Sequence, residues 1–203
     1  MNILQCGSEA LLVDVDGIDA VLGLYAALSD RLPEGVTELV PAARTLLVCF
    51  DPAVIPAQEL ADLLAGTEPV PAEAVRGELV EIPVYYDGAD LAEVGEHTGL
   101  GEHGVVELHT AAEYTVAFSG FAPGFGYLTG LDRQLHLPRR AIPRTHVPAG
   151  AVAIAGEFTG VYPRSSPGGW QLIGRTEVPL WDPARRPPAL LRPGTRVRFR
   201  ETR

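Results

Sequence analysis

Lysine is absent from this 203-residue chain, and all sixteen of its basic residues are arginines. The absence excludes Schiff-base chemistry, a phosphate-binding loop with its lysine, and the serine–serine–lysine machinery of amidase-signature enzymes. Cysteine is scarce as well. Cys6 and Cys49 lie in apolar, strand-like segments, where a buried free thiol is commoner than a disulfide. We therefore expect neither lysine-dependent catalysis nor a disulfide bond.

The chain also lacks long hydrophobic runs. No segment approaches the roughly 18 consecutive apolar residues that cross a membrane, and the N-terminus has no basic segment followed by a hydrophobic one. Because 46% of the residues are hydrophobic, the chain can still form a substantial core. These features predict a globular, cytoplasmic protein without a membrane partner.

Charge is unevenly distributed along the chain. Residues 1–110 contain 20 acidic residues and three arginines, a net charge of −17, whereas residues 111–203 contain six acidic residues and thirteen arginines, a net charge of +7; the two sum to −10. The basic half either meets an anion or an acidic partner, or pairs with the acidic half inside the molecule. No basic run is dense enough to follow a phosphate backbone, so we expect no nucleic acid partner.

Residues 118–175 have the most distinctive composition. They contain ten glycines, six prolines and seven of the fourteen aromatic residues. Disordered segments are poor in aromatic residues because they cannot bury them, so this segment is predicted to be ordered and dense in turns. Glycine allows left-handed backbone and close approach, and proline fixes φ. We expect shaped loops that build a pocket or an interface.

The first eighty residues alternate strands and helices. The pattern predicts strands near residues 3–6, 10–15, 36–41 and 45–50, and helices near 18–31 and 58–64. This order indicates an α+β N-terminal domain, a ferredoxin-like sandwich, over residues 1–76. Residues 68–77 are proline-rich and polar, and they are predicted to form a linker.

Residues 77–203 are predicted to form an all-β barrel with short helices. A strand near 78–85 and helices near 90–97 and 102–110 precede a series of strands, the clearest at 114–118, 151–155, 169–173 and 196–199. Many short strands separated by glycine- and proline-rich turns favour a closed or nearly closed barrel, since closure removes unpaired sheet edges.

Seven short motifs in this region resemble the signature of a known family. They read FAPGFGYL, PRR, PR, VPAG, GVYP, SPGGW and IGRT, at residues 121–128, 138–140, 143–144, 147–150, 160–163, 166–170 and 173–176. In order and spacing they are similar to the 5-oxoprolinase B-subunit family, also called allophanate hydrolase subunit 1, which includes a bacterial inhibitor of a sporulation histidine kinase. The resemblance covers nearly the whole chain and implies a cyclophilin-like barrel. His146 and Ser119 depart from the family, which usually has a long polar residue and an apolar residue at these positions.

The resemblance also implies a function. The chain would be a non-autonomous subunit of an ATP-dependent 5-oxoprolinase, which opens the lactam of 5-oxo-L-proline to L-glutamate, or of a related amidohydrolase of the allophanate hydrolase type. The implied partners are a larger cyclophilin-like subunit (the 5-oxoprolinase C subunit, or allophanate hydrolase subunit 2) together with the separate 5-oxoprolinase A subunit. ATP would bind either this chain or another part of the complex. The alternative is a protein-binding module that inhibits a sensor histidine kinase.

Two residues are predicted to be catalytic on the basis of the resemblance. The family carries a histidine at the position of His109, and histidine serves readily as an acid or a base; Arg144 also matches a family position. Alternatively, His109 is a helix C-terminal histidine that the helix dipole favours. Because His97, His103 and His109 recur every six residues, they do not share one helical face, and no metal site is predicted.

The other candidate residues are predicted to bind substrate or an anion. Guanidinium groups bind carboxylates and phosphates in a bidentate manner, and glycine-rich backbone offers N–H groups to oxyanions. Aromatic rings either fill the barrel core or line its mouth. The candidates are Phe121, Pro123, Gly124, Phe125, Tyr127, Arg140, Tyr162, Ser166, Gly168, Gly169, Trp170 and Arg175. We expect them to form one wall of a composite site.

Overall fold

The computed structural model describes residues 1–71 and 77–202. The chain divides into two compact units, Met1–Arg76 and Gly77–Arg203, and each is described by itself. Half of the predicted linker, residues 72–76, lies outside the described residues. Within the described ranges, no helix is both long enough and apolar enough to cross a membrane.

The first unit is a four-stranded sheet with two helices. Its elements in chain order are β1 (Asn2–Gln5), β2 (Ala10–Asp14), α1 (Ile18–Asp30), β3 (Val36–Pro41), β4 (Thr45–Phe50) and α2 (Ala57–Ala65). The strands pair in the order β1-β2-β4-β3, and all three pairings are antiparallel. The elements follow one another in the order that the sequence predicts, whereas the ferredoxin-like assignment stays a prediction.

Alternation along the two central strands builds the core of this unit. Leu11 and Val13 on β2, and Leu46, Val48 and Phe50 on β4, are buried on one face of the sheet. They pack against buried residues of the two helices, namely Val21, Leu24, Leu28, Leu60 and Leu64.

The two cysteines lie outside this core. Both thiols are free, but Cys6 is exposed and Cys49 is half-buried. Because side chains alternate between the faces of a strand, Cys49 lies on the face opposite to its buried neighbours Val48 and Phe50. The prediction of buried thiols is therefore wrong.

The second unit is mostly β. Its strands are β5 (Leu79–Val84), β6 (Tyr114–Ser119), β7 (Gly126–Thr129), β8 (Arg144–Val147), β9 (Ala151–Ala155), β10 (Phe158–Val161), β11 (Ser166–Gly168), β12 (Gln171–Arg175) and β13 (Arg196–Glu201). The helices are α3 (Leu91–Thr98) and α4 (Gly101–Ala111), with a 3₁₀ turn at Arg133–Leu135. Seven strands form one sheet in the order β12-β9-β10-β7-β6-β13-β5, and β8 pairs with β11 in a separate ribbon.

The two edges of the seven-stranded sheet meet along a seam. Tyr85, which follows β5, and Arg175, which ends β12, exchange N–H···O bonds of 2.9 and 2.8 Å. Further along, the amide of Asp90 donates to the carbonyl of Leu172 at 2.9 Å. We call these contacts, between residues 85–90 and 172–175, the barrel seam. They make the sheet a nearly closed barrel, which fits the predicted cyclophilin-like fold.

The seam requires glycine at position 88. The amide of Gly88 donates to the carbonyl of Ile173 at 3.3 Å. A Cβ at this position would overlap the carbonyl of Leu172 and the backbone of Ile173. Only a residue without a side chain therefore allows the two backbones to approach this closely.

We expect Gly88→Ala to destabilise the second unit by about 2 kcal/mol or more, because backbone atoms cannot yield to the added methyl group as a flexible side chain would. Urea unfolding measures the loss. Gly120→Ala is the matched control, since its Cβ would meet only Tyr127 at 3.5 Å. Equal stability of the two variants would show that the seam does not constrain the backbone in this way.

Candidate functional site

A buried carboxylate joins two arginines at the barrel seam. Asp90, which immediately precedes α3, is 1% exposed. Its Oδ1 accepts hydrogen bonds from Nη1 of Arg140 at 2.7 Å and from Nη2 of Arg144 at 2.6 Å. Glu93 on α3 contacts the same Nη1 of Arg140 at 3.2 Å. We call these four residues the Asp90 cluster.

Backbone contacts fix both sides of this cluster. Oδ2 of Asp90 accepts from the amide of Leu172 at 2.7 Å, so β12 holds the carboxylate in place. The amide of Arg140 donates to the carbonyl of Gly169 at 2.8 Å, and Arg144 lies opposite Gly168 in the β8–β11 ribbon. The seam and the ribbon therefore bring the carboxylate and the arginines together.

Positive charge exceeds buried negative charge in the cluster. Two guanidinium groups share one oxygen of Asp90, and the other acidic side chain, Glu93, is 51% exposed. Nε of Arg140 and Nη1 of Arg144 are buried without a partner among the described residues. Since buried donors are normally paired, this set of unmet N–H groups is suited to a carboxylate or a phosphate.

A groove of about 400 Å³ lies beside the cluster. It is lined by Glu93 and His97 of α3, by the loop at residues 137–142, and by Gln171. Arg140 contributes to both the groove and the cluster, whereas the neighbouring Arg139 has no ion pair among the described residues. A groove of this size accommodates a small metabolite.

The predicted aromatic residues form one continuous cluster beneath the ribbon. The Phe125 ring makes edge-to-face contacts with four others, namely Phe121, Tyr127, Tyr162 and Trp170. Phe125, Tyr162 and Trp170 are buried, and they belong to a core cluster with residues of β9. Of the two alternatives that the sequence leaves open, these three rings fill the core.

Tyr162 connects the aromatic cluster with the arginines. Burial raises the pKa of its hydroxyl, while the nearby charges of Arg139 and Arg144 act in the opposite direction. A Cβ at Gly168 would overlap the Tyr162 hydroxyl. Gly168 therefore allows the ribbon to lie directly over the ring. Ser166 in the same ribbon has a buried Oγ without a partner among the described residues.

Phe121 differs from the other rings. It is 57% exposed and has φ of 65°, a left-handed conformation that no other described residue except glycine adopts. The loop continues through Pro123 and Gly124, and Pro123 lines a shallow depression of about 250 Å³ with Pro163, Arg164 and Trp181. This exposed apolar surface is separate from the groove at α3.

His109 lies inside the barrel core, fully buried. The hydroxyl of Thr159 donates to the carbonyl of Ala153 at 3.1 Å, so its oxygen accepts from the Nε2–H of His109 at 2.9 Å. Nδ1 of His109 then accepts from the Tyr86 hydroxyl at 2.7 Å, and the ring stacks on Phe199. Burial lowers the pKa of His109 to about 3, so the ring is neutral. Its catalytic role stays a prediction, and in this position the ring does not face solvent.

Arg175 does not take part in the Asp90 cluster. Its Nε donates to Asp87 at 2.9 Å, and its guanidinium stacks over the Tyr85 ring at 4.5 Å. Both members of the ion pair are about half exposed. The structure thus gives Arg175 a contact at the barrel seam, and it brings Arg140 and Arg144 together without it.

Sequence reasoning did not identify Asp90 or Glu93. One local signal was available, because an acidic residue is favoured at the start of a helix, where the predicted helix near 90–97 has Asp90. That signal does not show whether the Asp90 carboxylate caps the helix or binds two arginines. Among the described residues, no group of three or more His, Cys, Asp or Glu side chains is placed to hold a metal ion.

The fold and the comparisons with known proteins define a carboxyltransferase-domain protein. A family model described as "Carboxyltransferase domain, subdomain C and D" matches residues 1–191. The 5-oxoprolinase B subunit of Escherichia coli O157:H7 is 49% identical over 178 residues, which cover 85% of this chain and 82% of that protein. The 5-oxoprolinase B subunit of Bacillus subtilis strain 168 is 36% identical over 219 residues, which cover 98% and 91%. The chain therefore belongs to the 5-oxoprolinase B-subunit family.

A solved structure shares the fold. The crystal structure of TTHA0988 matches with a TM-score of 0.81 and 41% identity, covering 96% of this chain and 40% of that chain. This chain thus spans about 40% of the length of TTHA0988.

We expect His109 to make stability depend on pH. Its pKa is about 3 in the folded protein and about 6.5 in the unfolded chain. Between these values the unfolded chain binds more protons, so the free energy of unfolding falls by up to about 1.4 kcal/mol per pH unit as the pH drops below about 6.5. His109→Gln removes this part of the slope.

Urea unfolding of both proteins between about pH 4 and 7 measures the difference, since the ring titrates within this window in the unfolded chain only. His103→Gln is the control, because the His103 side chain is 95% exposed, and it should keep the wild-type slope. An unchanged slope in His109→Gln would show that the buried ring is not held neutral.

Proposed function

We propose that this chain is a non-autonomous subunit of an ATP-dependent 5-oxoprolinase or of a closely related amidohydrolase of the allophanate hydrolase type. The observation that carries the proposal is the pairing of Arg140 and Arg144 on the single buried carboxylate of Asp90. Two guanidiniums with unmet N–H groups suit a substrate that carries a carboxylate and acquires further negative charge during reaction. The names of the similar proteins support the same reaction.

In this proposal the chain provides one wall of a composite site. Arg140 and Arg144 hold the carboxylate of 5-oxoproline or the negative charge that develops on the lactam oxygen when it is activated by phosphorylation. Gly168 of the ribbon, which lies opposite Arg144, allows close approach of backbone to this charge. The other walls, and the groups that activate water, belong to the two partners, the larger cyclophilin-like subunit with the 5-oxoprolinase A subunit.

ATP binding is assigned to another subunit. Lysine is absent, so this chain has no phosphate-binding loop lysine. In this proposal the nucleotide therefore binds a partner subunit, and Arg140 and Arg144 are left for the substrate anion.

A second candidate function is favoured by the exposed loop at Phe121. An aromatic ring held in solvent by a left-handed backbone is costly for a protein that functions alone. Such a ring suits protein docking, because buried aromatic anchors dominate interface energetics. The second candidate function is a protein-binding module that inhibits a sensor histidine kinase through this surface. In the enzyme, the same surface would bind the larger subunit.

For the enzyme, we expect Arg144→Ala and Arg140→Ala to raise KM for 5-oxoproline by about 10- to 100-fold, since a hydrogen bond to a charged group contributes about 1.5–3 kcal/mol. The measurement is ATP-dependent release of glutamate by the complex assembled from all three subunits. Arg200→Ala is the control, because Arg200 on β13 pairs with Glu81 on β5 and both side chains are about half exposed. Full turnover by this chain alone would contradict a composite site.

For docking, we expect Phe121→Ala to lower the affinity for the larger subunit, measured through co-purification, about tenfold or more. Alanine keeps the backbone cost of the left-handed conformation and removes only the ring. Leu63→Ala, at a 39% exposed leucine of α2, is the control. The same variants are tested for inhibition of a sensor histidine kinase. Loss of kinase inhibition in Phe121→Ala, with no turnover by any assembled complex, would favour the second candidate.

A further inference from the structure

Asp90 is the least exposed charged residue of the candidate site, and it was not among the residues expected to bind substrate. Its side chain is 2% exposed, compared with 29% for Arg140 and 25% for Arg144. A substrate therefore reaches the arginines before it reaches the carboxylate. Whatever Asp90 does in this site, it does through the two guanidinium groups.

We propose that Asp90 is a positioning residue that holds Arg140 and Arg144 together as one unit for recognising a carboxylate or phosphate anion. This proposal rests on the proposed function. It deepens that function by stating how the anion-binding arginines are kept in place.

The geometry leaves the carboxylate no freedom to turn. Oδ2 accepts from the amide of Leu172 at 2.7 Å, and the Asp90 amide itself donates to the Leu172 carbonyl at 2.9 Å. Oδ1 is thereby directed at the two guanidiniums, at 2.6 and 2.7 Å. Side chains locked in this way preorganise the groups that they contact.

The charge balance explains why the arginines stay close. Two guanidiniums that meet at one oxygen repel each other, and the buried negative charge of Asp90 offsets this repulsion. Glu93 is half-exposed and contacts only Arg140, so it cannot replace Asp90. Without the carboxylate, the two arginines are expected to separate toward solvent, because an unpaired buried charge is costly.

The donors that remain are those an anion would use. Asp90 occupies Nη1 of Arg140 and Nη2 of Arg144. Nε of Arg140 and Nη1 of Arg144 have no partner among the described residues, and both side chains keep part of their surface exposed. A guanidinium offers five N–H groups in a fixed plane, so holding one corner of each plane fixes the directions of the rest.

A purely structural role is the competing explanation. Asp90 also joins α3 to the barrel seam, and its loss lowers stability under either explanation. The two differ in what happens to the arginines of a folded variant. If Asp90 positions them, a folded variant loses anion recognition; if Asp90 only supports the fold, a folded variant keeps it.

The first test uses the full chain alone and does not depend on enzymatic activity. NMR of the arginine side-chain Nε–H groups, assigned with Arg140→Lys and Arg144→Lys, is recorded while inorganic phosphate and 5-oxoproline are added as separate probes. The wild type is expected to show shifts of both arginine signals. Asp90→Asn, which keeps the shape and removes the charge, is expected to lose these shifts.

Glu113→Gln is the matched control. Glu113 also joins two arginines, Arg196 at 2.7 Å and Arg198 at 3.0 Å, but it lies at a more exposed position outside the candidate site. It should respond to the anions like the wild type. Asp90→Glu, which keeps the charge, should restore part of the response, and it serves as the test if Asp90→Asn does not fold.

The second test uses the assembled complex. Asp90→Asn is expected to raise KM for 5-oxoproline by about tenfold or more, with a smaller change in kcat. An unchanged KM, or equal anion shifts in the wild type and Asp90→Asn, overturns the proposal, as does a wild type that does not respond to either anion. If the wild-type complex has no 5-oxoprolinase activity but Asp90→Asn still abolishes the anion shifts, the proposed function fails and the positioning role of Asp90 stands.

Discussion

The barrel seam is the contact on which the rest of the second unit depends. It pairs residues 85–90 with residues 172–175, and so turns an open sheet with two unpaired edges into a nearly closed barrel. The same contact delivers Asp90 to Arg140 and Arg144, because the Asp90 backbone and carboxylate both bond to Leu172. The same contacts therefore close the barrel and place the site residues, so a change in the seam also changes the site.

Part of the charge asymmetry of the chain is balanced inside the second unit. Glu81, Asp87, Asp90 and Glu93 all precede residue 111, and each pairs with an arginine from the basic half. The sequence left open whether that half meets a partner or its own acidic residues. Six arginines of the basic half have no ion pair among the described residues, namely Arg133, Arg139, Arg164, Arg185, Arg186 and Arg192. External binding can therefore draw on these six and on the unmet donors of Arg140 and Arg144.

Local signals predicted the elements better than the site. Period-two alternation and glycine- or proline-rich turns located most strands, and the arrangement of short strands indicated a barrel, because these features act over a few residues. The pairing of Asp90 with Arg140 and Arg144 spans 50 and 54 positions, which no local pattern encodes. The burial of His109 was missed for the same reason. Its partner Thr159 is 50 positions away, and a helix-terminal histidine looks alike in sequence whether its ring faces a groove or the core.

The long span of the seam has a consequence for synthesis. Asp90 and Leu172 are 82 positions apart, so during translation β5 and the start of α3 leave the ribosome well before their partner strand exists. Closing such a distant contact costs chain entropy before the contact forms, and non-local contacts form slowly. A nascent chain that already contains Arg140 and Arg144 would therefore still lack their shared carboxylate contact, and the anion-recognition geometry would arise only in chains extended past β12. Because of this order of synthesis, a chain that ends before β12 cannot form the site.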